Sequence, residues 1–259
     1  MTRRCLLPLF SSFVIATLAL AQSAAAEVYE MRIYTTNEGK LDALLARFRD
    51  HTCRLFEKHG IINIGYWVPL AKEDGAENTL IYILKHESVE GAKNAFANFG
   101  KDPEWQAARK ASEEKGKILA RPPESVFLSS TDYSPLIKLG KAAKDRVFEL
   151  RTYTTPVGKL DSLHSRFKNH TMALFTKHGM DHVAYWVPAK GQKDENIKLI
   201  YILSHASQEA GKTSFTAFRA DPEWIQAKSE SEKDGSLTLP QPDGVKSIYL
   251  RATDFSPIR

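Results

Sequence analysis

Glu30, Arg32 and Tyr34 stand two residues apart in the stretch VYEMRIYTT, and Glu149, Arg151 and Tyr153 repeat that spacing in VFELRTYTT. A carboxylate, a guanidinium and a phenol on one side of a strand could orient a ligand in an otherwise apolar pocket. The same charges could instead satisfy one another and fix how two sheets pair, because a buried charge is costly unless partnered. Two histidines raise a similar choice. His51 falls on a helical apolar stripe between Phe48 and Leu55, and His170 repeats it between Phe167 and Leu174. Each could reach a cleft between helix and sheet as a base or ligand, or pack as a hydrogen-bonded core residue.

Strand and helix must position these groups. Val28 to Thr35 alternates as a strand, and Gly39 opens a helical run that Gly60 closes as a C-terminal cap. Strands at Ile61 to Val68 and Thr79 to His86 follow. Then come a helix from Glu87 to about Phe99, a second helix with Asp102 as N-cap and Pro103 at its first position, and a strand at Val126 to Ser130. The order is βαββαβ, a ferredoxin-like half. The alternation sends Tyr29, Met31 and Ile33 one way, expected under the helices. It sends Glu30, Arg32 and Tyr34 the other way, expected in the barrel interior.

All of this is written twice. The opening phrases agree at six of nine positions, and an offset of 119 carries Glu30 onto Glu149. The same offset pairs GKLDALLARFRDHT with GKLDSLHSRFKNHT, YWVP with YWVP and DPEW with DPEW. The predicted fold class is therefore α+β: two tandem ferredoxin-like halves packed sheet to sheet as an α+β barrel, closed either within the chain or with a second chain. The first half spans 27–135, a linker 136–145 and the second half 146–259. YWVP adds Tyr66, Trp67, Tyr185 and Trp186 as secondary pocket candidates, with the tryptophans also suited to the layer between helix and sheet. DPEW is a helix start anchored by Trp105 or Trp224, and His59 and His178 suit the carbonyl end of a helix.

Other chemistries lack their signatures. The sequence has no phosphate-binding glycine loop, no dinucleotide fingerprint, no GxSxG elbow and no HExxH helix, so no metal site is expected. Cys53 has Met172 at its place in the second copy and reads as a small buried hydrophobe.

Residues 1–26 carry Arg3 and Arg4, an apolar run and the small-residue stretch AQSAAAE, the order of a cleaved signal peptide. Cleavage after Ala26 leaves 233 residues and lowers the formal net charge from +5 to +3, a dispersed charge that does not suit nucleic acid. The expected location is periplasmic or secreted, with no membrane association after cleavage. One cysteine remains, so no internal disulfide forms.

The phrases YEMRIYTT and FELRTYTT, each followed by GKL, a helix with HT and KHG, then YWVP and DPEW, resemble the NIPSNAP family over nearly the whole mature chain. The resemblance implies a dimeric α/β-barrel fold and supplies no settled reaction. Its opening motif falls on Glu30, Arg32, Tyr34, Glu149, Arg151 and Tyr153, and its helix histidine on His51 and His170. Related barrel families include haem-degrading and quinol-forming monooxygenases. No cofactor is expected, but were haem bound, His51 or His170 would be its first axial suspects. The expected function is binding of a small hydrophobic or amphipathic molecule in a barrel cavity. The alternatives are a cofactor-free or haem-dependent monooxygenase-like or isomerase-like enzyme, and a structural or protein-interaction module. Homo-oligomerisation through free sheet edges or helix faces is also expected.

Overall fold

The computed structural model describes residues 27–142 and 145–259; the expected signal peptide and most of the expected cleavage site lie outside them. Each half follows the predicted order. The first half contains β1 (Val28–Thr35), α1 (Leu41–Arg47), α2 (Cys53–Lys58), β2 (Ile62–Pro69) and β3 (Thr79–His86), then α3 (Val89–Lys101), α4 (Pro103–Ser112) and β4 (Glu124–Ser130). The second repeats it with β5 (Val147–Thr154), α5 (Leu160–Arg166), α6 (Met172–Lys177), β6 (Asp181–Pro188) and β7 (Lys198–His205), then α7 (Gln208–Ala220), α8 (Pro222–Ser231) and β8 (Val245–Ala252).

Local chemistry accounts for the boundaries. Gly60 takes φ +76°, the left-handed conformation that ends the first helical rod. Asp102 accepts the Glu104 N–H at 2.9 Å, and Pro103 opens α4. The rings of His59 and His178 reach sideways, to Asp102 and Asp221 at 2.7 Å each, and so tie the end of one helix to the cap of another.

Eight antiparallel strands close a barrel in the order β1-β3-β2-β8-β5-β7-β6-β4. Within a half, β1 and β3 are central, or β5 and β7. The edges join across halves, β2 to β8 and β4 to β6, so one chain completes the wall. Closure consumes the sheet edges on which the expectation of a second chain partly rested.

The two faces of the wall are the reverse of the expected assignment. Ile64, Trp67, Ile83, Phe148, Trp186 and Ile202, drawn from both halves, pack together inside, with Tyr29, Met31 and Ile33 against them. Tyr34, Tyr66, Tyr82 and Leu84 pack with Leu44, Phe48 and Phe56 under the helices. Glu30, Arg32 and Tyr34 therefore face the helices, as do Glu149, Arg151 and Tyr153. Both faces of this wall are covered, so alternation separates them without telling which is the lumen. The lumen is sealed by apolar side chains, whereas the helix side supplies polar partners and a route to water.

β2 contains a bulge between Asn63 and Gly65, and β6 one between His182 and Ala184. The extra residue puts two groups three apart on the helix side. The Tyr66 hydroxyl donates to Asn63 Oδ1, and Tyr185 meets His182 Nδ1 at 2.6 Å. It also turns Gly65 inward, where an added Cβ would stand 2.1 Å from the Trp67 ring. The glycine makes room for the indole.

Candidate functional site: twin clefts between helices and barrel

A π turn joins α1 to α2 at Phe48–Thr52, and another joins α5 to α6 at Phe167–Thr171. The Cys53 N–H reaches back five residues to the Phe48 carbonyl, widening the turn without breaking the rod. With that extra residue, Thr52 joins Phe48 and Phe56 on the buried face. His51 is left half-buried, and its repeat His170 is exposed. His170 borders a shallow surface depression of about 330 Å³ beside Ala227 and Ser231. Neither histidine belongs to the lumen cluster or lines the larger clefts described below. A haem in the lumen would find no axial ligand in either, and the lumen is already occupied by Trp67 and Trp186.

The rod, the next two helices and the outer barrel wall enclose a cleft in each half. The first holds about 540 Å³, with Tyr34 on its floor and Phe48, Phe56, Phe99 and Trp105 around it. The second holds about 660 Å³, with Tyr153, Phe218 and Trp224 in the places of Tyr34, Phe99 and Trp105, and with Phe215 in addition. The aromatic packing is tight: Phe99 and Trp105 have centroids 4.5 Å apart, and Phe218 and Trp224 4.4 Å. The Cys53 thiol lies close by, but burial pushes it up to about 12 and makes it a poor nucleophile.

A buried arginine forms one wall of each cleft. Arg47 is 5% exposed; its Nη1 contacts Ser112 Oγ at 3.2 Å and Glu113 Oε1 at 3.4 Å, and its guanidinium lies 5.3 Å from the Trp105 ring. Arg166 repeats the arrangement, with Glu232 at 2.7 Å, Ser231 at 3.3 Å and Trp224 at 5.0 Å. Nε of both arginines is buried without a partner among the described residues. Burial pulls the Arg47 guanidinium below its ordinary range, opposed by the charge of Glu113.

Deeper on the same face are the repeated charges. Glu30 takes hydrogen bonds from Arg32 Nη1 at 2.6 Å, Ser125 Oγ at 2.5 Å and His86 Nε2 at 3.0 Å. Glu149 takes them from Arg151 at 2.5 Å, Ser247 at 2.5 Å and His205 at 2.8 Å. The carboxylates only accept, so Nε2 carries the histidine proton in each case. Burial alone would raise both carboxyls, but the histidine bonds, the arginine charge and the serine bonds outweigh it and hold them below the usual range. They are ionised anchors with three partners each, poorly suited to deliver a proton.

The arginines lie against aromatic faces, Arg32 4.6 Å from the Phe96 centroid and Arg151 4.1 Å from Phe215. Arg151 also donates to the Tyr201 hydroxyl at 3.0 Å and to that of Tyr153 at 3.5 Å. Burial pushes the Tyr201 phenol well up, so it stays neutral. The second cleft extends to Arg151, whereas the lining of the first reaches Tyr34 and omits Arg32.

Of the sequence candidates, Tyr34, Arg151 and Tyr153 line the twin clefts. Glu30, Arg32 and Glu149 form the polar layer beneath. Tyr66 and Tyr185 are fully buried under the helices, and Trp67 and Trp186 fill the lumen, so none of these four lines a cleft. The lumen that was expected to be a cavity is packed with apolar side chains, and the twin clefts lie outside the wall. Arg47, Arg166, Glu113 and Glu232 were not anticipated. Their signal was present: an arginine on an apolar helical stripe, and a Ser-Glu pair, identical in both copies of the repeat.

With this geometry in hand, comparison with known proteins decides the family. The NIPSNAP family model matches residues 29–135 and again residues 148–257. The chain belongs to the NIPSNAP family. Its two NIPSNAP halves correspond to the two halves of the barrel, each carrying one cleft. Among solved structures, a protein from Fusobacterium nucleatum provisionally named a monooxygenase superposes with a TM-score of 0.56 at 11% identity, covering 88% of this chain and 93% of its own. An anthrone oxidase-like protein also gives 0.56 at 11% identity, over 88% of this chain and 91% of its own. A NIPSNAP family protein from Agrobacterium tumefaciens is 24% identical over 42% of this chain and 98% of its own, with a TM-score of 0.37. The curated proteins contain no significant match. At such identities the first two likenesses establish the NIPSNAP protein's barrel fold alone.

Proposed function

We propose that this NIPSNAP protein is exported and binds a small hydrophobic or amphipathic molecule, with the twin clefts as its sites. The observation that carries the proposal is the duplicated construction: an aromatic cup with a nearly inaccessible arginine in its wall, built in both halves at volumes usual for small-molecule sites. An arginine in that position is expensive as mere filler, since an apolar side chain would close the gap at lower cost. The test is native mass spectrometry of protein purified from the organism that makes it. A bound mass of up to two copies per chain, lost in a Trp105→Leu/Trp224→Leu variant that still melts cooperatively, is the expected result. Retention of that mass in the variant, or an apoprotein throughout, counts against the clefts.

Chemical conversion of the bound molecule in the same cleft is the alternative. It is favoured by the way the second cleft reaches Arg151, a cation hydrogen-bonded to two phenols beside an aromatic cup. The names carried by the two full-length structural neighbours, a monooxygenase and an anthrone oxidase-like protein, point the same way. A substrate oxygen polarised by Arg151 would be the first interaction to examine.

A further inference from the structure

We infer that both clefts select an amphipathic anion, with a ring system in the aromatic cup and a carboxylate or similar acidic group at the cationic rim. The inference rests on the clefts being ligand sites and adds the chemical class. The first cleft is lined by Arg47, Arg109, Lys117 and Arg121 against Glu113 alone. Arg121 is paired with Glu124 at 2.7 Å, which still leaves two cations in excess. The second is lined by Arg151, Arg166, Arg219 and Lys228 against Glu232 alone. Arg151 is committed to Glu149, and the excess is again two.

The rim cations are not simply inherited from the duplication. The offset of 119 places Ser236 and Pro240 where the first half has Lys117 and Arg121, and Gly100 where the second has Arg219. The two halves reach the same excess partly with different residues. Each acidic partner is also shared between two cations. Glu113 serves Arg47 at 3.4 Å and Arg109 at 3.5 Å, and Glu232 serves Arg166 at 2.7 Å and Lys228 at 3.9 Å. Each carboxylate serves two cations, which leaves the rim side chains Arg109 and Lys228, 62% and 55% exposed, with donors for a second acidic group. Low-dielectric walls strengthen its attraction.

The test compares three probes sharing one ring system: naphthalene-2-carboxylate, 2-naphthalenemethanol and 2-naphthylmethylammonium, titrated calorimetrically into the full chain. The carboxylate should bind at two sites per chain, about tenfold or more tighter than the alcohol, with the ammonium weakest. Arg109→Gln and Lys228→Gln alter rim side chains that are 62% and 55% exposed, so folding is preserved. Each should weaken the carboxylate at one site only, by about threefold to tenfold. Equal affinity for carboxylate and alcohol overturns the anionic class and leaves the clefts as sites. Carboxylate binding that neither variant weakens overturns the rim assignment, and failure of all three probes to bind overturns the clefts as ligand sites.

Discussion

The residues that matter most are charges placed where water is scarce. Glu149 is 1% exposed and fully partnered, so Glu149→Gln leaves Arg151 short of its counter-charge and should cost about 3 kcal/mol or more at neutral pH. The pH dependence follows from its depressed carboxyl. The native state's preference for the ionised form contributes fully above the ordinary value of 4.5 and is lost as pH falls through the lower folded value. Denaturation at about pH 7 and about pH 3.5 should therefore show the gap between parent and variant narrowing in acid. A gap that stays constant would remove Glu149 from the network. Cys53 offers a second check. With its thiol near 12 rather than 9.0, the thiolate fraction in the native protein falls on the order of a thousandfold. Alkylation at mildly alkaline pH should be correspondingly slow until the chain is denatured; fast native labelling would contradict its burial.

At the scale of elements, the π turns set what the helices present to the wall. Without the extra residue, α2 would rotate by about 100° relative to α1, as one residue does in an α-helix. Deleting Asp50 should therefore turn Leu55 and Phe56, both essentially inaccessible, away from the sheet. The expected result is loss of the cooperative thermal transition, or a drop in melting temperature of more than about 10 °C for several kcal/mol of lost packing. An Asp50→Ala control, which keeps the count, should melt near the parent. If the deletion also melts near the parent, the π turn is not what registers the rod. The bulges in β2 and β6 act similarly, bringing Asn63 to Tyr66 and His182 to Tyr185 although plain alternation would separate them.

For the whole molecule, closure is the governing fact. Each half alone would leave two sheet edges unpaired and one apolar face bare, with Trp67 or Trp186 exposed to water. Residues 27–135 expressed alone should accordingly elute as a dimer or larger species in size-exclusion chromatography with light scattering. A stable, cooperatively folded monomer would show that the barrel is not the folding unit. The arrangement also places the clefts on the outer side of the wall, one per half, where each can fill independently of the packed lumen.

The sequence by itself determined the element order, the duplication and the alternation of charged and apolar residues along β1 and β5, because these follow from local spacing and repetition. It also marked Tyr34, Arg151 and Tyr153, which do line the clefts. It could not say which face of the strand was the lumen. A wall covered on both sides buries both faces, and only strand closure shows where the eight apolar sets converge. The sequence places His51 on the apolar stripe because ordinary helical periodicity has no term for a π turn. Arg47 and Arg166 passed unnoticed for a related reason: on a helical stripe an arginine reads as an interruption. Only the tertiary structure brings Trp105 and Glu113, or Trp224 and Glu232, around it and makes it the wall of a cleft.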